Sequence, residues 1–554
     1  MDIKRTVLLV VFSLSLMMLW ENWNRYNGEP SLLSPTTPQS TEAPKTDPSL
    51  PQASPAPAPA ATAQLPSEAP AAANGETVTV TTDLLKVDVN TLGGEITRVE
   101  LLKHQDNNGN PVVLLEKSAT HTYVGQSGLI GGNLPNHRSQ FSARSGTRNT
   151  DSSDTVTVVL DAEQEGVKLT KTYTFKRGEY EIGVRHDIVN NSAAAITPSV
   201  YVQLVRDDTK LDGSSRFYST FTGPATYTET DKYHKVSFED IDKGKNPAAA
   251  HTTDGWVAMV QHYFVSAFAP LSKGEHELFT RKIGANLYAV GAIMPVGQVA
   301  AGATASQEGK MYAGPQESLK LEKFATDFDL VKDYGWLTII AKPIFWLMTQ
   351  IQKLLGNWGW TIIVLTILIK LVFFPLSAAS YRSMAKMKLV TPKMTAIRER
   401  YKGDPQQMNA AMMELYKTEK INPLGGCLPI VVQIPVFIAL YWVLLASVEM
   451  RHAPWLGWIH DLSAPDTLFG VLPGLDMPVG LLPIIMAVSM YVQTKLNPAP
   501  PDPVQAKVMM FMPLVFSFMF FFFPSGLVLY WVVNNLLSIA QQWVITKQST
   551  EGKV

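Results

Sequence analysis

A lysine at position 370 stands inside the apolar run 360–376, and no other side chain in the sequence sits in so unfavourable a solvent. A cation near the middle of a bilayer costs at least ~2.5–3.5 kcal/mol, so an intramembrane lysine is read first as a functional group that holds water or attracts an acid. The competing reading is snorkelling, in which the ammonium bends back to the nearer headgroups. The inner end of the run near Tyr381 is about ten residues away, roughly 15 Å at 1.5 Å per residue, which is more than a lysine easily reaches. Thr366 lies one helical turn before Lys370, Gln433 interrupts a second apolar run, and Asn534 and Asn535 interrupt the last. Together these side chains could line a wet groove. The apolar runs contain no Asp or Glu that could neutralise Lys370, which argues against a proton relay.

The rest of the chain offers little covalent chemistry. The histidines from His104 to His276 are scattered without metal-ligand spacing, and each is read as a surface or core residue. No Gly-rich phosphate loop, G-x-S-x-G elbow or recognisable carboxylate pair is present, so neither cofactor, metal nor nucleotide is expected. Lysine plus arginine number 47 against 48 acids, leaving no electrostatic footprint for nucleic acid. The single cysteine, Cys427, excludes an intramolecular disulfide.

The elements that must position Lys370 follow from composition and periodicity. Residues 1–27 pair Lys4 and Arg5 with an apolar run and then Trp23 and Tyr26, without a small-residue cleavage site, and are expected to be an uncleaved signal anchor. Residues 28–75, rich in Pro and Ala, are expected to form a disordered tether. From 76 to 330 the pattern alternates with period two, punctuated at Gly93-Gly94, Asn108-Gly109 and Arg177-Gly178, which predicts a large antiparallel β-sandwich. Residues 331–356 read either as an amphipathic helix lying on the outer membrane face or as a helix packed on the bundle. Spans are expected at 357–380, 422–446, 479–494, 508–523 and 527–546, which with the anchor makes six. Those at 479 and 508 fall short of the ~20 residues a bilayer requires, so local thinning is expected there.

Loop charge sets the orientation. Segment 381–421 carries nine basic residues against four acids and is expected to be a cytoplasmic helical hairpin turning at Gly403-Asp404-Pro405. Its methionines either offer an adaptable apolar surface to partners or zip its two helices together. Loop 447–478, with Arg451 against four acids, belongs outside, whereas loop 495–507 and tail 547–554 belong inside. Both termini are therefore expected in the cytoplasm and the sandwich in the periplasm.

The motifs GNWGW at 356–360, MAKM at 384–387, NPLGGC at 422–427, WIHDLS at 458–463 and FPSGLVLYW at 523–531 resemble the YidC family of membrane protein insertases, most specifically from Lys353 onward. The anchor and large outer domain resemble its Gram-negative branch, in which that domain is a β-supersandwich. The resemblance implies a non-enzymatic insertase and chaperone of the bacterial inner membrane, working alone or beside the Sec translocon on nascent chains delivered by ribosomes. Lys370 matches a groove position where the family usually has arginine, so the charge is kept but the planar fork is lost. Thr366 and Gln433 match polar groove positions, and Tyr530 and Trp531 match an aromatic pair that contacts client helices, with Trp531 where a second tyrosine is usual. Two other classes, a small-solute transporter and a membrane-tethered carbohydrate enzyme, lack the internal repeats or paired carboxylates they would need.

Overall fold

The computed structural model describes residues 75–550 apart from 152, 210–219, 246–250, 273, 420–427, 473, 475–476, 498–507, 509, 512–514 and 516. The expected anchor 1–27, nearly all of the tether, the NPLGGC motif, residues 498–507 of the loop 495–507 and part of the span 508–523 lie outside the described residues. The chain divides between Val331 and Lys332 into two compact units.

Among the described residues the first unit is all-β apart from two short α-helices, α1 (Phe238–Asp242) and α2 (Ser318–Phe324), and a 3-10 helix at Phe328–Val331. One antiparallel sheet has eight strands in the spatial order Thr77–Thr81, Leu85–Asn90, Glu95–Gln105, Pro111–Lys117, Thr122–Ile130, Ser199–Arg206, Leu287–Pro295, Glu277–Gly284. The other has nine, ordered Lys232–Lys235, Gly223–Thr228, Trp256–Val260, Phe264–Pro270, Thr304–Pro315, Glu181–Asn190, Val167–Lys176, Thr155–Gln164, Ser142–Ala143. Alternation decides which face each side chain takes: Val167, Leu169, Tyr173 and Phe175 are buried while the residues between them are half-exposed. The turn joining Gln164 to Val167 has positive φ at both Glu165 (52°) and Gly166 (76°), the primed geometry whose twist matches its flanking strands. Across the sandwich Tyr123 on the first sheet donates to the Met259 carbonyl and pairs with Ser266 on the second, all buried.

One buried position breaks the apolar row. Lys171 falls on the inward phase of its strand, is fully buried, and donates from Nζ to the carbonyls of Gly93 and Ser127 at 2.6 Å each. His186 on the neighbouring strand is also buried, with Nε2 2.9 Å from Ser127 Oγ. Burial pulls the Lys171 pKa down to about 7 and, assisted by the Lys171 charge, pulls His186 to about 3.

The second unit is helical: α3 (Thr338–Leu355), α4 (Trp358–Val372), α5 (Phe374–Arg400), α6 (Pro405–Thr418), α7 (Leu428–Ala446), α8 (Leu481–Leu496) and α9 (Ser525–Thr550). Among the described residues no single helix is long and apolar enough to cross a membrane. The pair α4 and α5 is long and apolar enough together but bends by 67°, and Val432–Ala446 and Leu481–Leu496 are shorter apolar helices. The bend falls inside the expected span 357–380. Pro375 lacks the N–H that would bond the carbonyl of Leu371, and the chain breaks at Phe373. α5 then runs unbroken from Phe374, so the helix leading into the expected hairpin begins ahead of residue 381.

The GNWGW motif acts through its glycines and asparagine. Gly356, at φ 67°, ends α3 in the left-handed conformation that favours glycine, and Asn357 caps α4 by accepting from the N–H groups of Gly359 and Trp360. At Gly359 a Cβ would come within 2.1 Å of the Trp455 ring, so only glycine admits that packing. α3 buries Ala341, Phe345, Met348 and Ile351 against the helical core, yet Ile339, Trp346 and Leu354 are exposed on its other side. Both readings of this helix therefore have a face. α5 and α6 meet through Val390 and Met394 with Met387, Met412, Leu415 and Tyr416 packed against them. Three of the methionines thus zip the two helices together, whereas Met413 stays exposed.

Candidate groove at Lys370

α4, α7 and α9 converge on the polar cluster around Lys370. Lys370 lies in the last turn of α4, and its Nζ donates to Ser538 Oγ at 2.7 Å. Ser538 in turn donates to the Asn534 carbonyl at 2.7 Å, and Asn534 Oδ1 accepts from Gln433 Nε2 at 3.1 Å. The cluster thus bridges three helices. Among the described residues no carboxylate pairs with Lys370, so its only hydrogen-bond partner there is a hydroxyl.

Depth follows from helix length. Lys370 is twelve residues beyond Trp358, or about 18 Å, and Ser538 is thirteen beyond Ser525, or about 20 Å. α9 continues for twelve further residues. Lys370 therefore sits at the end of its own helix but halfway along its neighbour, where α4 has stopped and the chain has turned away.

The five residues singled out from sequence are not equivalent. Lys370 and Gln433 join one network, through Ser538 and Asn534. Thr366 does not join it: its hydroxyl donates to the Ile362 carbonyl of its own helix at 2.6 Å and is buried. Tyr530 is 1% exposed and stacks on Phe437 with ring centroids 6.1 Å apart. It is a packed core residue here and reaches another chain only if α7 or α9 moves. Trp531 is half-buried, edge-on to Phe437 at 4.5 Å, with an indole N–H that is buried and without a partner among the described residues. Ser538 was not singled out from sequence. The signal for it is its place four residues after Asn534, which puts the two on one helix face.

At the opposite end of the unit, loop 447–480 ties three helix starts together. Asn357 at the start of α4 donates from Nδ2 to the Pro454 carbonyl at 3.0 Å, beside the Trp360–Trp455 contact. The buried carboxylate of Asp466 accepts from Leu482 N–H at the start of α8 (2.8 Å), from Leu468 N–H (3.1 Å) and from the Trp458 indole (3.1 Å). At the start of α9 the N–H groups of Ser525 and Gly526 donate to the carbonyls of Ala464 and Leu462, each at 2.8 Å. The WIHDLS and FPSG motifs are thus two sides of one joint. At the other ends of these helices the last turns of α4, α8 and α9 carry Lys370, Lys495 and Lys547.

Comparison with known proteins is consistent along the whole chain. A family model described as the YidC periplasmic domain matches residues 77–347, and one described as 60Kd inner membrane protein matches residues 350–552. A membrane protein insertase YidC from Janthinobacterium sp. (strain Marseille) is 63% identical over 560 residues, covering 99% of each chain. Another from Herminiimonas arsenicoxydans is 61% identical over 567 residues, covering 100% of each. A solved structure of an active YidC insertase with its first transmembrane domain resolved matches 84% of this chain and 94% of its own, at 18% identity and a TM-score of 0.37.

Proposed function

The chain belongs to the YidC family of membrane protein insertases, and from that premise we propose that it carries polar tails of client proteins partway into the bilayer through a groove centred on Lys370. It is a bacterial inner-membrane protein whose clients are membrane proteins. In this reading the apolar helices form six spans together with the anchor 1–27 and the segment 508–523. Loop 447–480 lies outside, and the α5–α6 hairpin and both termini lie in the cytoplasm. Two features support that orientation: one loop gathers the starts of α4, α8 and α9, and lysines mark the last turns of α8 and α9, at Lys495 and Lys547, in keeping with the positive-inside rule.

The observation that carries the proposal is the position of Lys370: without a carboxylate partner among the described residues, at half the depth measured along α9. A client's acidic tail entering from the cytoplasm meets this charge after crossing only half of the hydrocarbon. The membrane potential, negative inside, adds ~2.3 kcal/mol per charge per 100 mV towards outward movement, so no nucleotide is required. The client's apolar segment then partitions along α9 into lipid. Gln433, Asn534 and Ser538 hold the ammonium in place, while Thr366 contributes to packing. The exposed basic residues of the hairpin, such as Lys386, Lys388 and Lys393, suit a surface that receives ribosome-borne chains, and the Sec translocon is a second expected partner.

The test is insertion, into liposomes, of clients with zero, one or two tail acids. Lys370→Arg is expected to retain activity and Lys370→Glu to lose it. Lys370→Ala should fall between, its defect growing with the number of acids. Folded Lys370→Glu that inserts a two-acid client as well as the parent does would overturn the proposal, because simple snorkelling predicts damage to folding alone.

A further inference from the structure

The loop that gathers the helix starts also carries a feature the groove does not use. Between Asp466 and α8 the chain makes a small two-stranded hairpin in which Val471–Leu472 pairs antiparallel with Met477–Pro478. Its base is fixed rather than loose. Phe469 N–H donates to the Val479 carbonyl and Val479 N–H to the Gly470 carbonyl, both at 2.9 Å. Asp466, buried beneath it, grips Leu468 N–H and the start of α8 together. Gly480 is pressed against that carboxylate so closely that a Cβ would lie 2.3 Å from Asp466 Cγ.

What this rigid base presents is apolar and uncovered: Leu468 is 42% exposed, Phe469 61%, Val471 54% and Leu472 42%. Residues 467–472 contain no charged side chain. A surface hairpin in water normally carries polar residues on at least one face, and a held cluster of large apolar side chains marks a surface that meets another apolar phase. Two observations say which phase. The hairpin leads directly into α8, whose sixteen residues span about 24 Å, short of a ~30 Å hydrocarbon core. It also adjoins the pinned helix starts, the end of the unit that the reading above places outside.

We propose that the hairpin of Val471–Leu472 and Met477–Pro478 rests in the outer-leaflet interface of the bilayer, its Leu468, Phe469 and Leu472 side chains among phospholipid acyl chains, filling the height that α8 lacks. The open edges of a two-stranded ribbon carry backbone groups that need water or headgroups, which limits it to the interfacial layer and keeps it out of the membrane core. Thinning around α8 is then confined to the inner leaflet, on the side of the groove. The inference rests on the orientation given above, in which loop 447–480 is outside.

The experiment uses full-length protein with Cys427→Ser, so that single cysteines can be placed at Phe469 and, as a control on the same loop, at the exposed His460. Each is labelled with an environment-sensitive fluorophore and reconstituted into phosphatidylethanolamine–phosphatidylglycerol vesicles. The Phe469→Cys probe is expected to be quenched several-fold more by lipids bearing a shallow nitroxide than the His460→Cys probe, and to be shielded from aqueous iodide. A Phe469→Cys probe as open to iodide as the control, without nitroxide quenching, overturns the proposal. Shielding from both quenchers also overturns it, since that outcome means a protein covers the hairpin. A membrane-impermeant maleimide applied to intact cells separates this from the orientation: failure to label His460→Cys there sinks the topology, whatever the quenching shows.

Discussion

Lys171 and His186 are two titratable side chains placed where a sandwich core wants apolar ones, and each pushes stability in a predictable direction. The Lys171 pKa is about 7 in the fold against 10.5 unfolded, so between those values the unfolded chain binds more protons. Stability of the β unit should therefore rise as pH goes from 7 towards 10.5. His186, about 3 folded against 6.5 unfolded, has the same sign in a lower window, so stability should fall as pH drops from 6.5 towards 3. Thermal unfolding of the β unit, followed by near-ultraviolet dichroism, is expected to shift upward between pH 7 and 9. Lys171→Met should flatten that slope, and an unchanged slope would place the titration elsewhere. The inward placement of Lys171 was legible, since it falls in phase with Val167, Leu169 and Tyr173. Its partners were not, because two of them are backbone carbonyls from segments 78 and 44 residues away.

Among the elements, those read best from sequence were the strands, whose period-two alternation and Gly turns at Gly94, Gly109 and Gly178 reappear as a large all-β unit with positive φ at each of those glycines. The helix around Lys370 was read less well. Hydropathy averages over a window, so the run 360–376 did not show that α4 ends at Val372; the local signal for the break is Pro375. Depth for Lys370 had to come from α9, which no local pattern in α4 encodes. The joint at the helix starts illustrates the same limit: WIHDLS and FPSG could be recognised as motifs, but only the fold shows that one caps the other. Gly480→Ala tests this joint, because its methyl group must displace the buried Asp466 carboxylate. Overpacking of this kind costs about 1–3 kcal/mol, and a matching fall in thermal stability in detergent, with earlier proteolysis of loop 447–480, is expected. Wild-type stability in that variant would show that the joint tolerates movement.

For the whole molecule, the division at Val331 and Lys332 separates a unit with its own two-sheet core from the one that carries Lys370. Among the described residues the polar cluster at Lys370 is built from α4, α7 and α9. Deleting residues 76–319, while sparing the segment that leads into α3, should leave insertion of small clients largely intact. Complete loss of insertion with the helical unit still folded would show that the sandwich takes part directly. The joint at the helix starts has one more consequence, which is mechanical. A bundle pinned at one end can part only at the other, and α9 is a lever about 39 Å long measured from that pin. A rotation of roughly 10° about the pin swings its far end by about 7 Å, enough to admit a polypeptide strand, while the pinned end moves hardly at all. On the orientation proposed above, opening is expected at the inner side, with the pinned outer end moving least.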